Sequence, residues 1–311
     1  MPDETPARPP VRLPTQHTHA AQPALLIQPD QPSQPGQPDL PRPARRVATS
    51  RSATRRTASG RARGRGAIVT AAGPRMRAAL HELALPTFAA YASAWDWTVV
   101  VQDLPDDGAG ADDAAQSAKW AKVRLLRAAL AEHRHALWLD ADVLLQRTDE
   151  DVLDHLHPED FQALALEQVP AEHRVNPNTG VWLLRSGPRA GAFLDAVERA
   201  GRQPGPWSDQ GAVLHALGWD RGDERYHWAR PGVGNVFSGS TSWLPPGWNT
   251  PYTGRRSDDD CFNSAAGSYA DRPRVDAPHA LHFMGMTPTA RYRAMAEELA
   301  RGVPSAATAR A

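Results

Sequence analysis

The chain has little of what marks several large protein classes. It carries one cysteine, Cys261, which excludes an internal disulfide and any zinc site built from cysteines. It has two lysines, Lys119 and Lys122, among 35 basic residues. No apolar stretch approaches the ~20 residues of a membrane span. The pairs Arg45-Arg46 and Arg55-Arg56 lead into no apolar core of signal-peptide length, so the reading is of a cytoplasmic protein rather than an exported one. Aromatic residues are missing from the first 66 positions, and every Trp lies between Trp95 and Trp248.

What is present divides the chain unevenly. Residues 1–44 are rich in Pro and Gln, and residues 45–66 carry eight arginines and no acid. Such segments bury too little apolar surface to offset the entropy of ordering, so residues 1–66 are expected to be a disordered tail. Basic and acidic residues balance over the whole chain at 35 each. Up to residue 66, however, eleven arginines face four acids, which leaves the tail at +7 and the remainder equally negative. A basic tail suits nucleic acid, an anionic surface or an acidic partner, or is simply a solvated linker. Residues 67–300 are expected to form one globular domain, ample for a single core, and residues 301–311 a second disordered tail.

The most informative run is Ala136-Leu-Trp-Leu-Asp140-Ala-Asp142. Four apolar residues predict a buried strand, and such strands deliver residues to the edge of an open α/β sheet, where ligands bind. If the strand continues, Asp140 and Asp142 share a face. Two bare carboxylates that close resist joint ionisation, and a divalent cation with a taste for oxygen, magnesium or manganese, relieves the conflict. The alternative is an acidic turn. Two rival triplets read differently: Asp149-Glu-Asp151 as the acidic start of a helix, and Asp258-Asp-Asp260 as a solvated loop.

Around this run the pattern alternates. Residues 67–70 form a strand, and the small residues of Ala71-Ala-Gly73 either let a nucleotide approach the backbone or make an ordinary turn into a helix. A helix is expected over 75–94 with Pro86 interrupting it, a strand over 97–101, an exposed loop over 106–116 and an amphipathic helix over 118–132. Further strands are expected at 161–166, 181–184 and 280–283. Helices are expected near Pro188, capped by Ser186, over 208–217, and over 289–300. Strands alternating with helices predict an α/β fold with a mainly parallel sheet.

Several separated pieces resemble one family. Lys119-Trp-Ala-Lys122 with Leu137-Trp-Leu-Asp-Ala-Asp142, Tyr91-Ala92, Asn178-Thr-Gly180, Ser208-Asp-Gln210, Leu244-Pro-Pro-Gly-Trp-Asn249 and His282-Phe-Met-Gly285 stand in the order found in retaining GT-A glycosyltransferases. The nearest likeness is to the family of fungal galactosyl- and mannosyltransferases and plant xyloglucan xylosyltransferases. The resemblance implies a Rossmann-like GT-A nucleotide-diphospho-sugar transferase fold, a UDP-sugar donor and a manganese or magnesium cofactor. It also implies an unknown acceptor, a glycan or a metabolite. By position, Asp140, Asp142 and His282 are metal ligands. Asp140 also meets the donor, together with Thr70, Ala71, Lys122, Asn178, Gly180 and Gly285. Asp209 and Gln210 act on the sugar, Asp209 orienting its hydroxyls and Gln210 stabilising an oxocarbenium-like centre.

Each residue has a plainer reading: His282 as a satisfied core histidine, Asp209 as a helix start favoured by the dipole, Lys122 as a solvated helix charge. In one respect the chain departs from the family. Where relatives often carry a lysine after the H-x-x-G motif, this chain has Met286, Thr287 and Pro288, and its nearest base is Arg291. The competing readings are a sugar-phosphate nucleotidyltransferase, and a degenerate, non-catalytic binding module whose Arg-rich tail docks to nucleic acid or another partner.

Overall fold

The computed structural model describes residues 65–105, 111–169, 174–203, 208–219, 235–252, 275 and 277–302. The expected tails, apart from the four residues nearest the domain, lie outside them, as does Asp258-Asp-Asp260. Gly66, assigned to the tail by composition, instead opens the first strand.

The strands are β1 (Gly66–Ala72), β2 (Trp97–Asp103), β3 (His135–Leu139), β4 (Val143–Leu145), β5 (Gln162–Val169), β6 (Arg174–Arg185), β7 (Thr241–Leu244), β8 (Thr250–Pro251) and β9 (Ala280–His282). The helices are α1 (Pro74–Ala78), α2 (Leu85–Trp95), α3 (Ala111–Glu132), α4 (Pro188–Ala200), α5 (Ser208–Ala216) and α6 (Pro288–Ala300). Six strands form the main sheet in the order β2-β1-β3-β6-β5-β7, and β4-β9-β8 form a small second sheet. Pairings β1–β2, β1–β3 and β5–β7 are parallel, whereas β6 runs antiparallel to both its neighbours. The expected α/β class is the one observed, with β6 the reversed strand.

Strand periodicity places the cores. Ala67, Val69, Ala136, Trp138, Trp182 and Leu184 face one side of the main sheet, where α3, α4 and α5 supply Leu126, Phe193 and Val213. Ile68, Leu137, Leu139, Val181 and Leu183 face the other, against α2, α6 and the small sheet. Both faces are covered, so the central strands read as nearly unbroken apolar runs.

Three local expectations change. Pro86 does not break the first helix: a π-helical turn, Ala79–Ala84, joins α1 to α2. Widening the ladder just before the proline accommodates its missing N–H. Helix α3 begins at Ala111, inside what composition marks as a loop. Ser186 caps nothing; its hydroxyl donates to the Leu130 carbonyl at 2.9 Å, and Gly187 occupies the cap position of α4. Among the described residues, no helix is long and apolar enough to cross a membrane.

A buried polar knot ties α2 to the segment after β4. The Tyr91 hydroxyl accepts from the Val152 N–H at 2.8 Å and donates to Asp151 at 3.4 Å, and Arg65 pairs with Asp151 at 2.6 Å. Burial pushes the Tyr91 phenol well above its ordinary pKa. Tyr91→Phe strands the Val152 donor, so it is expected to lower unfolding stability by about 1–3 kcal/mol, read from urea denaturation. An unchanged midpoint would show that water satisfies that donor.

Candidate functional site

Strand β3 ends one residue before the acidic triplet. Asp140 donates its backbone N–H to the Gly180 carbonyl at 2.9 Å, and Val143 N–H closes a tight turn on the Asp140 carbonyl at 3.1 Å. Asp140 and Asp142 therefore flank a turn between β3 and β4. They do not alternate along one strand, and the shared-face reasoning fails. Their side chains converge nonetheless, because β4 pairs with β9 and sets Val143 opposite His282.

Oxygens of Asp140 and Asp142 and a ring nitrogen of His282 lie within 4.8 Å of one another. His282 Nε2 is 3.3 Å from Asp142 Oδ1 and 4.0 Å from Asp140 Oδ2. Its Nδ1 lies 2.8 Å from Asn249 Oδ1. An amide oxygen accepts, so Nδ1 carries the proton and Nε2 faces the carboxylates. A bare nitrogen lone pair against two carboxylates is repulsive unless a proton or a metal ion lies between them. Two oxygen donors and one imidazole suit manganese better than magnesium, and an acceptor behind the second ring nitrogen is the usual device for aiming such a ligand. The donor set fits a divalent ion. Asn249, which ends the short turn Pro246–Asn249, closes the Leu244–Asn249 segment that carries part of the family resemblance, but sequence reasoning assigned it no role at the site. It stands 33 positions from His282, and no local pattern links the two.

Gly180 is required here for space. A β-carbon at this position would sit 2.3 Å from His282 Cε1. The register of β5 on β6 jumps between Leu164 and Ala165, from Trp182 to Asn178. The residues between bulge from the ladder, and bulges commonly re-aim groups beside active sites. Asn178 Oδ1 accepts from the Gly180 N–H at 2.7 Å and holds the bulge. Gly285, in the loop after β9, has φ +74°, a conformation that glycine adopts without strain.

The bulge also carries Thr179, whose carbonyl and hydroxyl accept from Lys122 Nζ at 3.0 and 3.1 Å. Lys122 is not a solvated helix charge. It is 3% exposed and lies between Asp140 Oδ1 at 3.2 Å and Asp209 Oδ2 at 2.8 Å, with its ammonium 5.2 Å from the Trp138 ring centroid. Burial pulls its pKa down, and the two carboxylates more than reverse this, so it is held above its ordinary value. Trp138 Nε1 donates to the same Asp140 oxygen at 2.6 Å. That occupancy leaves Asp140 Oδ2 turned towards His282. Asp209 stands second in α5, after Ser208, with half-buried Gln210 following it in the same first turn. Thr179 Oγ1 lies 3.2 Å from Asp209 Oδ2.

Thr70 and Ala71 lie near the end of β1, beyond its ladder with β3, which runs to Val69 and Trp138. They therefore lie at the same carboxyl end of the sheet from which Asp140 emerges. Thr70 Oγ1 is buried without a hydrogen-bond partner. Arg291, in the first turn of α6, reaches Asp142 Oδ2 at 3.3 Å. Burial works against the Asp142 carboxylate, but Arg291 and then His282 outweigh it and hold the pKa well below the usual carboxylate range.

No known family model and no curated protein matches the sequence. Solved structures do. A glycosyltransferase involved in glycosylation of the major capsid of PBCV-1 is 15% identical over 74% of this chain and 98% of its own, with a TM-score of 0.46. The galactosyltransferase LgtC, solved with donor and acceptor sugar analogs, is 17% identical over 75% of this chain and 95% of its own, with a TM-score of 0.44. Mouse xyloside xylosyltransferase 1 is 12% identical over 70% of this chain and 97% of its own, with a TM-score of 0.37. These three solved structures are glycosyltransferases.

Removing Lys122 leaves Asp209 buried without its counter-ion. Lys122→Met is expected to cost about 3 kcal/mol of stability, with a coupling to Asp209→Asn of about 1–3 kcal/mol in a double-mutant cycle. Its pH signature has a definite sign. A lysine held above its ordinary pKa in the folded state contributes stability at neutral pH and loses that contribution as pH rises from 10.5 through the folded value. Wild type should therefore lose stability between pH 10 and 12 more steeply than Lys122→Met (about 1.4 kcal/mol per pH unit at most for one proton). Parallel curves would show that Lys122 titrates normally.

Proposed function

We propose that the chain is a metal-dependent, retaining glycosyltransferase of the GT-A type. It moves a hexose or pentose from a nucleoside-diphosphate sugar, with UDP the favoured nucleotide, to a hydroxyl of a glycan or metabolite. We place it in the cytoplasm, a setting that a chain with a single cysteine fits. The observation that carries the reading is the convergence of Asp140, Asp142 and His282 within 4.8 Å, next to the Lys122–Asp209 ion pair at 2.8 Å.

Asp140, Asp142 and His282 would hold manganese or magnesium. When bound, such an ion supplies counter-charge to the diphosphate as the glycosyl bond breaks, without any proton transfer. The chain's own residues do the rest. Thr70 and Ala71 lie on the nucleoside side of β1: Ala71 is small enough for close approach, and Thr70, fully buried, backs it from within the strand. Asn178 and Gly180 form the wall on the sugar side, and Gly285 turns the backbone past the diphosphate. Asp209 spends one oxygen on Lys122 and Thr179. Its other oxygen orients a donor hydroxyl. The Gln210 amide oxygen faces the positive charge that develops at the anomeric carbon. Lys122 acts through Asp140 and Asp209 and does not touch the nucleotide.

The test is calorimetric. Wild type should bind UDP in the presence of Mn2+ and lose at least tenfold in affinity without it; Asp142→Asn should bind at the metal-free level throughout. UDP binding that is indifferent to both metal and Asp142 would overturn the reading.

A further inference from the structure

Asp142 already has a cation. Its Oδ2 faces Arg291 Nη1 at 3.3 Å, while Oδ1 faces His282 at 3.3 Å. Arg291 is tethered from behind, because Nη2 donates to the Met286 carbonyl at 2.9 Å and Nη1 lies 3.3 Å from Met76 Sδ. Its Nε is buried with no hydrogen-bond partner. An unmatched buried donor is costly, so a movement of the guanidinium that gives this N–H an acceptor is favoured.

An ion held by Asp142 would sit within a few ångströms of this guanidinium. A positive charge that close opposes the binding of a divalent ion by at least an order of magnitude. A metal arriving alone must therefore compete with Arg291 for Asp142. A metal arriving with a diphosphate brings its own compensation, since the anion gives the guanidinium somewhere else to point. We infer that Arg291 makes the two ligands cooperative. It serves as the counter-ion of Asp142 until the metal binds, then turns to the diphosphate that the metal holds. By linkage, the factor by which the diphosphate tightens the metal is the factor by which the metal tightens the diphosphate. The inference rests on the donor-site reading above, yet predicts something that a static metal site does not.

The experiment uses the full chain, with Mn2+ and UDP as probes in isothermal titration. In Arg291→Met, Mn2+ alone should bind about tenfold more tightly than to wild type, because its competitor is gone. UDP at saturating Mn2+ should bind about tenfold more weakly, because the anion contact is gone. A purely structural role would weaken both. Arg291→Lys keeps the charge without the fork and should give intermediate values; it decides the matter if the methionine variant does not fold. Both affinities falling together, or neither changing while wild type binds both probes, overturns the role of Arg291 alone. A wild type that binds neither Mn2+ nor UDP overturns the donor site, and this inference with it.

Discussion

One buried ammonium holds the site together. Lys122 reaches from α3 to the turn after β3, to the bulge in β6 and to the first turn of α5, meeting Asp140, Thr179 and Asp209. Without that charge, two carboxylates from different elements would face each other across a nearly dry space, and each would be driven into water or into protonation. With it, their positions are fixed relative to each other. The orientation of Asp140 follows: Lys122 and Trp138 take one oxygen, so the other is left for His282.

The second constraint is steric, and β6 supplies it. A regular strand would run Thr179, Gly180 and Val181 along the β5 ladder with alternating faces. The register jump instead takes these residues out of the β5 ladder, so that the Thr179 carbonyl meets Lys122 and the Gly180 carbonyl meets the Asp140 N–H. Gly180 then packs where no side chain fits, against the ring of His282. One irregularity thus serves both halves of the site. Reversing β6 against its neighbours brings this bulge to the carboxyl end of β3, where the acidic turn begins.

How much of this the sequence discloses depends on whether the cause is local. Strand β3 and its acidic end are legible because an apolar run followed by Asp-Ala-Asp is a contiguous pattern. The reason for the convergence is not, since it depends on β9 pairing with β4 and not on strand alternation. Burial of Lys122 leaves a faint local sign: it shares the inner face of α3 with Leu126 and Ala129, at i+4 and i+7. An inward lysine on an apolar stripe is a misfit that calls for a carboxylate. Asn249 closes one of the segments that carry the resemblance, but its link to His282 leaves no local sign, because the two are 33 positions apart. Arg291 is hidden by counting. The positions directly after Gly285 hold no base, but Pro288 starts a helix, and its first turn returns the fourth residue towards Asp142.

The balance of charge holds the shape of the site. Asp140, Asp142 and Asp209 face Lys122 and Arg291, with the His282 ring between two of the carboxylates. Lys122 is sealed at 3% exposure and has no other partner to take up, so it is a fixed strut. Arg291 sits at the rim on a helix of its own, holding one carboxylate oxygen and a carbonyl, with its Nε unpaired. Two cations in one cluster therefore differ in kind: one cannot leave without collapsing the arrangement, and the other can exchange a carboxylate for an incoming anion at little loss. That asymmetry comes from where the fold roots each side chain, in mid-helix under the sheet for Lys122 and in the first turn of the last helix for Arg291.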